Sequence, residues 1–170
     1  MKESFNKEVN LYVERFICIH AIMLSLEGVP AFYIHSLFGT RNDYALYKQT
    51  NQNRSLNRGK IKISEIDLSQ QSEPHSYIFH QLRKLMLIRK KQPAFHPNAV
   101  QFTLHLGRNL YGIWRQSLDK KQSIFCISNL TDKVVILSLL DLNLIGFDYW
   151  RDLITDIKVD DITSEIELKP

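Results

Sequence analysis

Apolar positions recur at helical spacing from Glu8 to Leu26, where Val9, Val13, Phe16, Ile17, His20 and Leu24 fall on one face. From Phe16 onward the opposite face is apolar as well, with Ile19, Ile22, Met23 and Leu26, so this helix expects cover on most sides. Gly28 supplies a stop, because glycine readily adopts the left-handed conformation that ends helices. Pro30 then biases Val29 toward an extended shape. Ala31–Ile34 is an apolar run of strand length without alternation, the pattern of a strand buried on both faces of a parallel sheet. A polar segment follows from Gly39 to about Gln71, with a short helix expected near Tyr44–Lys48. Such length is unusual for a loop inside a compact domain and points to a functional segment or to disorder.

A second helix is expected from Ser72–Pro74 to Lys91, with Ile78, Leu82 and Leu85 as its inner stripe. Arg89, Lys90 and Lys91 fall in its last turn, where cations complement the helix dipole. Pro93 and Pro97 mark a change of character. Val100, Phe102, Leu104 and Leu106 alternate with polar residues, predicting a half-buried strand. Further strands are expected at Leu110–Arg115, Ser123–Ser128, Val134–Leu139, Gly146–Trp150 and Ile162–Leu168. A helix, a strand and a helix followed by strands alone predict an α/β plus all-β chain: a βα end-piece over residues 1–93, then an antiparallel β-sandwich over 94–170.

Composition changes this picture little. At 170 residues, 44% hydrophobic and 24% charged, the chain is globular in character. A net charge of +4 suits attraction to anions, including phosphorylated sugars, but is too small to imply nucleic acid. Cys18 and Cys126 sit in apolar runs and read as buried thiols of a reducing compartment. The longest apolar stretch, Phe16–Leu26, falls short of the roughly twenty residues a membrane span needs. The N-terminus shows no cleavage-site pattern, so a cytoplasmic address is expected, with no membrane partner.

Candidate chemistry is sparse. The six histidines are scattered without metal-ligand spacing, so no metal and no cofactor is expected. No glycine-rich phosphate cradle and no Gly-x-Ser-x-Gly elbow occurs. The basic cluster Arg83, Lys84, Arg89, Lys90 and Lys91 reads as a solvated helix face. Asn129-Leu130-Thr131 reads as turn chemistry after a strand. Glycoside chemistry requires two acids on opposite sides of a sugar. Asp43 and Glu65 lie in the polar segment, and Asp148, Asp152, Asp156, Asp160 and Asp161 lie near the C-terminus, with nothing to mark two of them as a facing pair. The densest polar stretch is Asn51–Arg58, whose Asn, Gln, Ser and Arg side chains suit sugar hydroxyls that both donate and accept. A polar surface loop is the alternative reading of the same residues.

Several of these segments together carry a family resemblance. Glu14–Phe16 through Ile22–Leu24, then Gly28-Val29-Pro30 through Phe38-Gly39, resemble the helix and final barrel strand of sucrose phosphorylase-like enzymes in the α-amylase superfamily (glycoside hydrolase family 13). Thr50 through Arg58 resembles the TG-x-x-R-x-INR element of that subgroup, with Asn51 where glycine is common. Leu82–Phe95 resembles its last barrel helix, and Tyr149–Ile154 a stretch of its C-terminal β domain. The resemblance implies the last βα segment of a (β/α)8 TIM barrel followed by the β domain. It implies a retaining glucosyl-transferring sugar phosphorylase of carbohydrate metabolism, acting on a sugar or sugar phosphate. Carried over by position, Arg54 is the expected sugar contact, Asn42 and Asp43 lie on the acceptor side, and Arg58 is either a further contact or structural. The catalytic Asp, Glu and Asp of the family lie on earlier strands. No catalytic residue is therefore assigned here, and a C-terminal fragment inactive alone is expected. A carbohydrate-binding or interaction module is the alternative. The missing N-terminal barrel part would be the natural partner.

Overall fold

A computed structural model describes residues 7–62, 64, 68, 73–142 and 148–170, and of residues 7–10 the backbone alone. The chain packs as two units, one of Met1–Ile17 with Ala31–Arg83 and the other of Cys18–Pro30 with Lys84–Pro170. Two helices, α1 (Lys7–Ser25) and α4 (Pro74–Lys90), contribute to both. Both match the expected helical stretches. Among the described residues no helix is long and apolar enough to cross a membrane.

In the first unit, α2 (Ile34–Leu37) and α3 (Tyr44–Thr50) precede a 3-10 turn at Asn53–Asn57. The strand expected at Ala31–Ile34 does not form. Tyr33 is extended, but Ile34 already begins α2, where Leu37 N donates to Tyr33 O at 3.1 Å and Phe38 N to Ile34 O at 3.3 Å. A strand exists through its ladder, and among the described residues none pairs with this segment. Its backbone bonds locally instead, which leaves Tyr33 and Ile34 about half exposed. The inner stripe of α4 is as expected in this unit, with Ile78 and Leu82 buried and Phe79 stacked on Phe38 at 5.4 Å. Tyr77 Oη donates to Glu14 Oε1 at 3.0 Å. Burial first, and the Glu14 carboxylate second, push its phenol up to about 12.

The second unit holds the strands. β1 (Val100–Leu104), β2 (Leu110–Gln116) and β3 (Ser123–Asn129) form an antiparallel sheet in sequence order, with Phe102 opposite Trp114 and Trp114 opposite Phe125. β4 (Val135–Ser138) pairs with β7 (Glu165–Leu168), and β5 (Trp150–Arg151) with β6 (Lys158–Val159). Of the expected Gly146–Trp150 strand, residues 146–147 lie outside the described residues. One core joins all three sheets: Leu110, Leu137, Leu139 and Leu142, packed by Leu104, Phe125, Trp150, Val159 and Ile166 among others. The alternation expected along β1 holds only at its far end. Leu104 and Leu106 reach that core, whereas Val100 and Phe102 remain more than two-fifths exposed. The Asn-Leu-Thr sequence does build a turn, since Asn129 Oδ1 accepts from Thr131 N at 2.9 Å and Asn129 Nδ2 donates to Leu168 O at 2.9 Å.

Two arginines fix the end of α1 in this unit. Arg89 donates to the carbonyls of Leu24, Leu26 (3.4 Å) and Gly28 (2.9 Å), so it caps a helix whose last carbonyls have no intrahelical partner. Its guanidinium also lies 4.8 Å from the centre of the Phe95 ring. The reading of Arg89 as part of a solvated face is therefore corrected, while Arg83, Lys84, Lys90 and Lys91 are exposed. Arg115 is fully buried and donates to His96 O at 3.1 Å, Ala99 O at 3.3 Å and Ser25 O at 3.5 Å. Cys126 lies within the field of both guanidiniums, which favour its thiolate. Burial outweighs them and pushes the thiol up to about 12.

Candidate functional site

Asn42, Asp43, Arg54 and Arg58 all fall in the first unit: Asn42 and Asp43 between α2 and α3, Arg54 within the 3-10 turn and Arg58 directly after it. Asp43 is the N-cap of α3. Its Oδ1 accepts from Leu46 N at 2.8 Å, satisfying one of the orphan amides at the helix start. Its own amide donates to Leu56 O at 2.7 Å, which ties the entry of the segment to its end. The second carboxylate oxygen, Oδ2, faces Gly59 closely enough that a Cβ there would come within 3.1 Å. Asp43 thus gathers Leu56–Gly59 around itself, and Arg58 lies in that stretch.

The helix that Asp43 starts is ended by Asn51, at φ 51° and ψ 30°, whose amide donates to Tyr47 O at 2.8 Å. This left-handed position suits glycine, and asparagine is among the few other residues that take it readily. The substitution at the second place of the Thr50–Arg58 element is therefore tolerated on conformational grounds. The chain then turns tightly. Thr50 Oγ1 donates to the hydroxyl of the buried Ser55 at 2.6 Å, and Ser55 N donates to Gln52 O at 2.9 Å. Arg54 projects from this turn with an exposed side chain. Its Nε donates to Gln52 Oε1 at 2.8 Å, so one edge of the fork is held. Asn42 and Arg58 are exposed, and among the described residues their side chains make no hydrogen bond or ion pair.

Three anchors of this segment escaped sequence reasoning. Tyr33 Oη donates to Asn57 O at 2.9 Å, His35 Nδ1 meets Thr40 Oγ1 at 2.7 Å, and His75 Nδ1 lies 2.7 Å from Phe38 O. A carbonyl can only accept, so His75 carries its proton on Nδ1. Glu65 lies outside the described residues. Among those described, no three His, Cys, Asp or Glu side chains converge into a metal site.

The capping role gives a direct expectation. Asp43→Ala should lower stability by about 1 kcal/mol, seen as a reduced thermal midpoint, while Asp43→Ser should keep most of it. Equal losses in both variants would show that the carboxylate acts here through something other than the α3 amide.

The chain has relatives among known proteins. No described protein-family profile matches the chain. It is 35% identical over 161 residues to a glucosylglycerate phosphorylase of Escherichia coli (strain K12), covering 92% of this chain and 27% of the relative. It is 36% identical over 138 residues to a protein of the same name from Allomeiothermus silvanus, covering 80% and 24%. A third, from Spirochaeta thermophila, is 29% identical over 119 residues, covering 69% and 20%. The chain spans about a quarter of the length of these curated relatives. Among solved structures, an AmyP variant in complex with maltotriose superposes with a TM-score of 0.69 at 18% identity, covering 94% of this chain and 33% of that one. That likeness extends over both helices and sheets and bears on fold alone.

Proposed function

We propose that this chain is a portion of a sucrose phosphorylase-like enzyme of the α-amylase superfamily and that it supplies one wall of a glucosyl-binding pocket, a reading supported by its likeness to glucosylglycerate phosphorylases. The observation that carries this reading is the exposed guanidinium of Arg54. It is oriented by Gln52 on a turn that Ser55 and Thr50 lock from beneath. A planar fork held at Nε retains its terminal N–H groups for sugar hydroxyls or for an acid that shares them. Asn42 and Arg58 extend the same polar surface. Asp43 acts as a positioning residue, because one carboxylate oxygen is committed to the α3 cap.

Retaining glucosyl transfer needs a nucleophilic and a proton-donating carboxyl group about 5 Å apart. We assign neither to these residues. The relatives are glucosylglycerate phosphorylases roughly four times longer than this chain. The reading is therefore of a phosphorylase portion that binds sugar and transfers nothing by itself. The test uses the 170-residue protein with glucose 1-phosphate and glycerate. Phosphate release should stay at background, and titration with glucose should show weak binding that Arg54→Ala reduces roughly tenfold, the loss expected for one charge-assisted hydrogen bond. Turnover above background would overturn the assignment of inactivity. Unchanged glucose binding in the Arg54→Ala protein would overturn the assignment of the pocket wall.

A further inference from the structure

A second candidate site belongs to the sheet-bearing unit, whereas Arg54 belongs to the first. The turn between β1 and β2, the strand β4 and Asp141 border an open-mouthed hollow of about 490 Å³. Leu106, Leu110 and Leu137 line its apolar part, and the latter two belong to the buried core, so this surface is rigidly backed. His105, Arg108 and Asp141 also line it. Among the described residues these three side chains make no hydrogen bond, ion pair or ring contact. Two exposed pairs form elsewhere on the unit, Arg151 with Asp156 at 2.7 Å and Lys158 with Asp160 at 2.5 Å. Here a fork, an imidazole and a carboxylate meet one cavity, and none is occupied by the protein.

We propose that this pocket binds a monosaccharide carrying an anionic group. The chemistry follows from the lining. A guanidinium with all its N–H groups open suits a phosphate or carboxylate, by two parallel charge-assisted bonds. A carboxylate accepts from sugar hydroxyls, which always have protons to donate. Leu106 and the half-exposed Ile136 offer the apolar surface for part of the C–H face of a pyranose. His105 can serve the anion or a hydroxyl, since one ring nitrogen donates in either protonation state. A neutral apolar ligand would leave Arg108 and Asp141 unsatisfied, and a purely inorganic anion would leave the leucine surface bare and meet Asp141 as a like charge.

The test is carried out on the full chain by amide NMR titration, with glucose 1-phosphate, glucuronate, glucose and inorganic phosphate as separate arms. Shifts at Leu106 and Leu137 are expected with the two anionic sugars, at least tenfold weaker with glucose and with phosphate alone. The relative strength of the two anionic arms identifies phosphate or carboxylate as the preferred group. Arg108→Met keeps the stem and should weaken the anionic sugars at least tenfold. Asp141→Asn should weaken glucose 1-phosphate while leaving phosphate unchanged or tighter. Arg54→Ala should leave these shifts unaltered, which separates the pocket from the loop proposed above. No shifts at Leu106 and Leu137 with any sugar, or an Arg108→Met protein that binds glucose 1-phosphate as tightly as the parent, would overturn the proposal.

Discussion

Arg115→Ala is expected to destabilise the sheet-bearing unit by about 3–5 kcal/mol, the largest effect of any single change in this chain. The magnitude comes from what the guanidinium leaves behind. The carbonyls of His96 and Ala99, and more weakly of Ser25, would face a cavity instead of a donor. Each buried acceptor deprived of its partner costs about 1–3 kcal/mol, and the lost stem adds a packing cost. Burial holds the Arg115 guanidinium below its ordinary range, yet that range lies so far above neutrality that the group stays charged. Arg115→Met restores the volume and none of the donors, so it should recover less than half of the loss. Both tryptophans, Trp114 and Trp150, lie in this unit. Urea unfolding followed by their fluorescence therefore reads the unit directly. A loss under 1 kcal/mol for Arg115→Ala would mean that water replaces the guanidinium at no cost, and that the residue is not the fastener described here.

The same arginine shows where the sequence was legible and where it was not. The long helices α1 and α4 follow from periodicity, because a 3.6-residue repeat records which face is buried whatever buries it. The places of β1 to β3 were also readable, although the alternation along β1 holds only at its far end. Arg115 sits on the repeat Tyr111, Ile113, Arg115, so an inward-facing charge was there to be noticed on an otherwise apolar face. Arg89 left no such signal. Four exposed cations surround it in the run Arg83–Lys91, and only the path of the chain from Leu24 at the end of α1 to Gly28 beyond it turns Arg89 into a cap. The Ala31–Ile34 run failed for a different reason. Strand identity belongs to a pair, and an apolar run records burial without naming a partner. In the candidate loop, residue types were readable: Asp43 before a helix, Asn51 at its end, and Arg54 among amides. The ties made by Tyr33, His35 and His75 were not: Tyr33 and His75 reach backbone carbonyls that composition does not mark, and nothing in the sequence pairs His35 with the Thr40 hydroxyl.

Gly39→Ala should be another of the most damaging changes, costing the first unit about 2–5 kcal/mol, and a companion substitution should repair part of it. Gly39 stands at φ +57° at the entrance to the candidate loop, and an added Cβ would overlap Cδ1 of the buried Ile78. Two separate penalties follow: about 1–2 kcal/mol for an alanine in the left-handed region, and about 1–3 kcal/mol for forcing extra volume into a packed site. Ile78→Val removes only the obstructing methyl, at an ordinary cost of about 0.5–1.5 kcal/mol by itself. The two penalties therefore separate in a double-mutant cycle. The combined variant should be more stable than the sum of the single losses predicts, by about 1 kcal/mol or more, and the residual deficit should match the backbone penalty alone. Strict additivity would place the whole cost of Gly39→Ala in the backbone. The cycle also reaches function, because Gly39 is followed directly by the segment that Asp43 and Asn51 shape around Arg54. If a fixed loop entrance is what orients that guanidinium, glucose binding should weaken in Gly39→Ala and recover in the double variant in step with stability. Recovery of stability without recovery of binding would show that Arg54 is placed by its own turn and by Gln52, independently of how the chain enters the loop.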